Sequence, residues 1–153
     1  MDYQLVPMDK SHLKQVAELD AELFSRPWSA DSWESELYND TVSLVVAETQ
    51  EGRVLGYGVL GVILDEGCLE KIAVRPDCQR RGIAQAILSS FLRYGEEHLA
   101  YIGLEVRDDN TPAITLYEKN GFRAVGRRKN YYSEVKRDAI LMDLVFHEGE
   151  NHG

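Results

Sequence analysis

The sequence predicts an α/β domain built on a mixed central sheet flanked by helices, and two observations carry that expectation. Apolar runs at 41–48, 53–64 and 68–74, separated by turns around Gln50-Glu51-Gly52 and Asp65-Glu66-Gly67, read as an antiparallel meander. The third of these runs is followed by a helical segment and then by another strand-like run at 101–106, an order that joins parallel neighbours. A sheet holding both kinds of pairing is mixed. At 153 residues the chain suits one domain, expected over 1–146 with a polar tail at 147–153, and a hydrophobic content of 44% is enough for a core.

Each element has its own local reason. Residues 3–6 read as a short strand, and Ser11 is placed to cap a helix carrying Leu13, Val16, Ala17 and Phe24 that Pro27 ends. Asp31 with Glu34 has the spacing of a capping box for a short second helix through Leu37. After the meander, Ala84, Ile87, Leu88 and Phe91 fall at helical spacing, so a helix begins near Arg81 and runs from Gly82 to about His98. Then come the strand at 101–106, a helix over 110–120 that Asn110 can cap, a strand beginning at Phe122, a loop over 131–136 and a last strand over 139–146. No internal repeat, low-complexity stretch or linker interrupts this order.

The junction Gln79-Arg80-Arg81-Gly82-Ile83-Ala84 carries the most chemistry. It leaves the apolar run Ile72-Ala73-Val74 and enters a helix whose first N–H groups and positive dipole end face the loop. Gly82 lets the backbone approach an anion closely, and Arg80 and Arg81 add full charges, which makes a seat for a diphosphate. An ordinary strand-turn-helix with a solvated arginine pair is the alternative. Neither familiar nucleotide loop fits: a Walker loop ends in Gly-Lys-Ser/Thr, and a dinucleotide fingerprint needs three spaced glycines.

Charge and cysteine content narrow the function classes. With 26 acidic residues against 17 basic, the net charge is −9, opposite to the excess positive charge of direct nucleic-acid binders. An acidic surface can instead steer a basic partner, or simply aid solubility. No apolar run reaches the ~18 residues of a membrane span and the start lacks a signal segment, so the expected location is the cytoplasm, away from membranes. Cys68 and Cys78 are too few for a zinc knuckle or a disulfide framework and read as reduced thiols, with no metal implied. His147-Glu148-Gly149-Glu150-Asn151-His152 has a superficial zincin look, but its histidines are five apart and Gly149 weakens a helix, so it reads as a frayed terminus.

A second segment gives the junction its meaning. Leu104-Glu105-Val106-Arg107 ends a strand-like run, and Asn110, Ala113, Ile114, Leu116, Tyr117 and Gly121-Phe122 follow in order. Together the two segments resemble the GNAT superfamily of N-acetyltransferases, with its Gln/Arg-x-x-Gly-x-Gly/Ala loop and Asn-x-x-Ala-x-x-Leu-Tyr-x-x-x-Gly-Phe helix. Pro27-Trp28-Ser29, Arg128-Lys129-Asn130-Tyr131-Tyr132 and Asp138-Ala139-Ile140-Leu141-Met142 are similar to the RimI-type ribosomal-protein alanine N-acetyltransferases. The resemblance implies the GNAT acyl-CoA N-acyltransferase fold and acetyl-CoA as cosubstrate. Its pyrophosphate would sit on Gln79, Arg80, Arg81, Gly82, Ile83 and Ala84, and its pantetheine arm would lie along Ile72, Ala73 and Val74 with help from Asn110. Glu105 is implied as the base, directly or through a water, and Tyr117 as proton donor to the departing thiolate.

On the acceptor side the resemblance implies an aromatic wall of Trp28, Tyr131 and Tyr132 confining a peptide end, with Glu34 or Glu36 holding a basic residue. The implied acceptor is the N-terminal alanine of a ribosomal protein, reached by direct attack in a ternary complex. Arg137 stands where the subfamily usually has an acidic residue, which bears on peptide preference rather than on cosubstrate use. The residues leave alternatives open. Glu105 could simply pair with Arg107 or a cation on a neighbouring strand, Tyr117 and Trp28 could only pack, and the acceptor could be a lysine, a polyamine or another small amine. A non-catalytic acetyl-CoA-binding module would need only the loop and Asn110.

Overall fold

The computed structural model describes residues 2–146, so the expected tail and its histidine pattern lie outside the described residues. The strands are β1 (Gln4–Pro7), β2 (Val42–Glu48), β3 (Val54–Ile63), β4 (Glu66–Val74), β5 (Tyr101–Arg107), β6 (Arg123–Tyr132) and β7 (Arg137–Val145). The helices are α1 (Leu13–Leu23), α2 (Ala30–Glu36), α3 (Ile83–His98) and α4 (Thr111–Lys119). All the strands join one sheet in the order β1-β2-β3-β4-β5-β7-β6. Among the described residues only β4 and β5 pair in parallel, across the α3 connection, so the sheet is mixed as the sequence predicts.

Two helix starts differ from expectation. Asp9, in extended conformation, caps a 3-10 turn at Lys10–His12 and accepts the N–H of Ser11, so Ser11 is a capped residue rather than the cap of α1. Ser29, also extended, accepts the N–H of Ser32 and caps α2, which puts Asp31 inside the first turn and removes the expected Asp31–Glu34 box. A cap must stand outside the helix it starts. The β3–β4 turn also moves. Ile63 pairs with Glu66, so Leu64 and Asp65 make the turn and Gly67 lies within β4, where a Cβ would come within 2.9 Å of Ile102 and Leu99. That glycine serves close packing, not the turn. Residues 131 and 132, expected in a loop, instead extend β6 to its bulged pairing with Arg137.

The sheet is covered on both faces. Ile83, Ile87, Leu88 and Phe91 of α3 pack with Leu55, Leu60, Leu104, Val106, Tyr117 and Phe122 on one face. Val16 and Leu19 of α1 and Trp33 of α2 pack with Val46, Tyr57 and Val59 on the other.

The feature that makes a site lies at the middle of the sheet. β4 and β5 pair only through Glu66–Leu69 against Tyr101–Leu104, after which β5 continues alongside β7 as far as Arg107. β4 meanwhile has a bulge: Val59 opposes Lys71 while Leu60 opposes Leu69, leaving Glu70 as the extra residue. A bulge bends its strand and flips the alternation beyond it, so Leu69 and Ile72 face the α3 cluster while Lys71 and Ala73 turn toward α1 and α2. The edge of β4 that faces β5 has no strand partner over 70–74 among the described residues. Backbone N–H and C=O groups left so are a template for an extended ligand.

Candidate active site

A cavity of 590 Å³ fills the gap between the parted strands. Ile72 and Lys71 line it from β4, Glu105 from β5, Asn110 and Tyr117 from α4 and its cap, Tyr131 and Tyr132 from the end of β6, and Trp28 from the chain between α1 and α2. Seven residues singled out in the sequence therefore meet at one place. Ala73, Val74 and the Gln79–Ala84 segment lie outside that cavity; Val74 packs toward α3 and the loop continues beyond it.

The loop has the shape that an anion seat requires. Gly82 (φ +80°) and Arg80 (φ +67°) both take left-handed backbone, and an added Cβ at Gly82 would meet nothing within 4 Å. Gly82 stands at the N-cap of α3 with no side-chain cap, unlike Ser29 before α2 or Asn110 before α4, so the first N–H groups of α3 stay open to a ligand. Both arginines are exposed. Gln79 turns back instead, its side-chain amide donating to the Val74 carbonyl at 3.2 Å, which ties the loop to the end of β4.

The two reacting-site candidates have opposite surroundings. Alternation along β5 sends Leu104 and Val106 into the α3 cluster and Glu105 to the other face, where its side chain is 32% exposed. Arg128 of β6 holds its Oε2 at 2.9 Å, reaching across the intervening β7, so the cation that pairs with Glu105 comes from two strands away rather than from the neighbouring strand the sequence suggests. Arg107 pairs with Asp109 instead. Tyr117 is 8% exposed beside Phe122, and burial, with a smaller contribution from Tyr132, pushes its phenol up to about 12. It stays protonated throughout the neutral range. Asn110 uses its carbonyl oxygen to cap α4 through the Ala113 N–H, which leaves its amide N–H groups as donors toward the cavity.

Contacts that sequence reasoning did not find hold the wall of Trp28, Tyr131 and Tyr132. Arg26 pairs with Glu134 at 3.0 Å, donates to the Tyr131 carbonyl, and lies 5.0 and 5.3 Å from the Tyr131 and Tyr132 ring centres. Ser25 donates to Glu134 at 2.7 Å, and this bond, followed by a hydrogen bond from the residue's own backbone and then by the arginine contact, holds the Glu134 carboxyl down at about 2. The chain between α1 and α2 is thereby fastened to the chain between β6 and β7 across the cavity. Trp28 is pinned from below, its backbone N–H donating to Asp20 at 2.7 Å and its ring 4.6 Å from Trp33. No local motif marks Arg26 or Glu134, but Lys71, a charge within the apolar run of β4, was a visible anomaly.

Of the acidic residues expected to hold a basic side chain, Glu34 already pairs with Lys10 at 3.6 Å. Glu36 lies with Glu70 on a second cavity of 510 Å³ on the outer side of Trp28, and Glu70 is pushed up by burial and then by Glu36. Arg137 pairs with Asp108 at 2.8 Å at the end of β5.

Residues 13–122 match the model of the acetyltransferase (GNAT) family. The chain belongs to that family. Among curated proteins it is similar to the [ribosomal protein bS18]-alanine N-acetyltransferase of Escherichia coli K12, 37% identical over 121 residues, covering 77% of this chain and 80% of that protein. It also resembles the N-alpha-acetyltransferase RimI of Mycobacterium tuberculosis, 32% identical over 141 residues and covering 88% and 87% of the two chains. The crystal structure of the ribosomal-protein-S18-alanine N-acetyltransferase from Escherichia coli superposes with a TM-score of 0.86 at 32% identity, over 98% of both chains. The chain is an N-acetyltransferase with the GNAT fold.

Proposed function

We propose that this GNAT enzyme takes its acetyl group from acetyl-CoA and passes it to the α-amine of a protein N-terminal alanine, a ribosomal protein being the acceptor, by direct attack in a ternary complex in the cytoplasm. The observation that carries this reading is that one cavity brings Glu105 and Tyr117 together under a wall of Trp28, Tyr131 and Tyr132. The residues present fit the donor. The open backbone edge of 70–74 suits the pantetheine amides, and the uncapped start of α3 with Arg80 and Arg81 suits the diphosphate. When bound, acetyl-CoA supplies a thioester carbonyl and a thiolate leaving group.

The chain's own groups then divide the proton work. Glu105 takes the proton lost by the amine, directly or through a water, as a new N–C bond replaces the C–S bond. Tyr117 has a phenol at about 12, roughly 3.5 units above an ordinary thiol, so as the proton donor it would act chiefly by donating a hydrogen bond to the developing thiolate, full transfer of the proton being uphill. The acceptor wall decides which amine arrives. At pH 7 an α-amine is roughly 10 to 17% neutral and a lysine about 0.04%, a gap of roughly 3.4 kcal/mol, so a modest base in an exposed ion pair suits the α-amine. Glu36 and Glu70, outside Trp28, are placed to hold a basic side chain further along the acceptor.

Mass spectrometry of ribosomal proteins from cells with and without the gene tests the acceptor. One or more N-terminal alanines should lose their acetyl group in the deletion strain. A ribosomal set with every terminus unchanged would overturn the assignment.

A further inference from the structure

Lys71 is the anomaly in the cavity wall. The bulge at Glu70 turns it away from the α3 core and under α1, where the residue is 7% exposed. Its ammonium lies 2.8 Å from both oxygens of Asp20, itself fully buried, and Tyr57 donates to the same carboxylate at 2.7 Å. Three rings surround the cation, Phe24 at 4.4 Å, Trp28 at 4.6 Å and Trp33 at 5.6 Å from ring centre to Nζ. Asp20 also accepts the Trp28 N–H, so the carboxylate and the cation both hold the same tryptophan, one by its backbone and the other by its ring.

A buried ion pair adds little net stability over well-packed apolar side chains, so stability alone does not account for it. Its location does. Lys71 lines the cavity, lies within the open strand edge 70–74, and touches the ring of Trp28, which walls the proposed acceptor side. We infer that Lys71, fixed by Asp20 and caged by Phe24, Trp28 and Trp33, is a positioning residue that sets the acceptor wall against the donor strand. It acts through Trp28 and takes no part in proton transfer. The inference rests on the acceptor-site reading above, because it assigns Trp28 to the acceptor.

The pair also fills what would otherwise be a cation cage. Aromatic faces around a carboxylate are the chemistry that binds an ammonium from outside, and here the chain supplies its own. A lysine or polyamine ammonium arriving from outside therefore finds the cage already filled.

Lys71→Met, Lys71→Arg and the paired Asp20→Asn/Lys71→Met test this. Lys71→Met should raise the KM for an alanine-terminated peptide about tenfold, the scale of one desolvated cation–π contact, while the KM for acetyl-CoA stays within about twofold. Lys71→Arg should recover part of that loss. The paired variant, which leaves no buried unpaired charge, should regain the thermal midpoint but keep the raised acceptor KM. Because Trp28 and Trp33 are the only two tryptophans of the chain, acrylamide quenching of their emission follows the wall without any acceptor and should increase in Lys71→Met and in the paired variant. A wild type inactive on the peptide, with quenching still changed by the variants, would fault the acceptor reading alone. A paired variant with wild-type acceptor KM and wild-type quenching, or an equal rise in KM for both substrates, would overturn the positioning role.

Discussion

At the end of the cleft proposed for the donor, left-handed Gly82, the uncapped start of α3 and the open edge of β4 are all main-chain features. At the end proposed for the acceptor the wall is held by side chains from distant parts of the chain: Asp20 with Lys71, 51 residues apart, and Arg26 with Glu134, 108 apart. A main-chain site tolerates many side chains and binds one common ligand. A side-chain site can be rebuilt residue by residue, which is where acceptor preference can change while the donor stays the same.

The sharpest way to break that contrast is at Gly82. Gly82→Trp should weaken acetyl-CoA binding by ~100-fold or more, about 2.7 kcal/mol or beyond, because the ring would occupy the anion seat. Gly82→Asn, a residue that tolerates left-handed backbone, should fold and keep most of the affinity. Calorimetry on both decides it, and equal affinity in the tryptophan variant would remove the loop from the donor site.

The next effect is on turnover. Tyr117→Phe should lower kcat by ~10² with a loss that is even from about pH 6 to 9, since a phenol at about 12 is protonated across that whole range. Glu105→Gln should lose most near pH 7 and recover part of its rate as hydroxide replaces the missing base. Profiles of both variants matching wild type in height and shape would place neither residue in the chemistry.

A smaller effect is expected at the fastening between the two acceptor loops. Arg26→Ala or Glu134→Gln should raise acceptor KM by roughly threefold and leave acetyl-CoA binding alone, the size of an exposed pair. The Glu134 carboxyl is depressed from an ordinary value to about 2, so its contribution is complete above the unfolded carboxyl pKa of about 4.5 and is lost as pH falls through about 2. Ser25→Ala removes the largest cause, and carbon-detected NMR titration should show the Glu134 carboxyl moving upward toward its ordinary range.

The same contrast explains what could be read beforehand. Ala84, Ile87, Leu88 and Phe91 announce α3, and Gly82 announces the left-handed turn at its uncapped start, because helical spacing and a glycine's freedom are local properties. Asp9 and Ser29 cap in place of Ser11 and Asp31 because both kinds of residue suit a cap, and only the path of the chain chooses between them. The bulge at Glu70 has no residue signature, yet it opens the cleft and reverses the facing of Lys71. Glu105 could be placed on the cavity wall from its motif, but not its bond to Arg128, which depends on β6 and β5 each pairing with β7.

The central claim is that the cleft acts on an α-amine, and a direct comparison of two short peptides tests it: one beginning with a free alanine, the other blocked at its terminus and carrying an internal lysine. Initial rates at about pH 7 should favour the free alanine by a large factor. By about pH 9.5 the preference should shrink, because the neutral lysine fraction grows by hundreds while the α-amine, already roughly a tenth neutral, gains no more than about tenfold. A faster reaction on the internal lysine at the lower pH would contradict the account and make the enzyme a lysine or small-amine acetyltransferase.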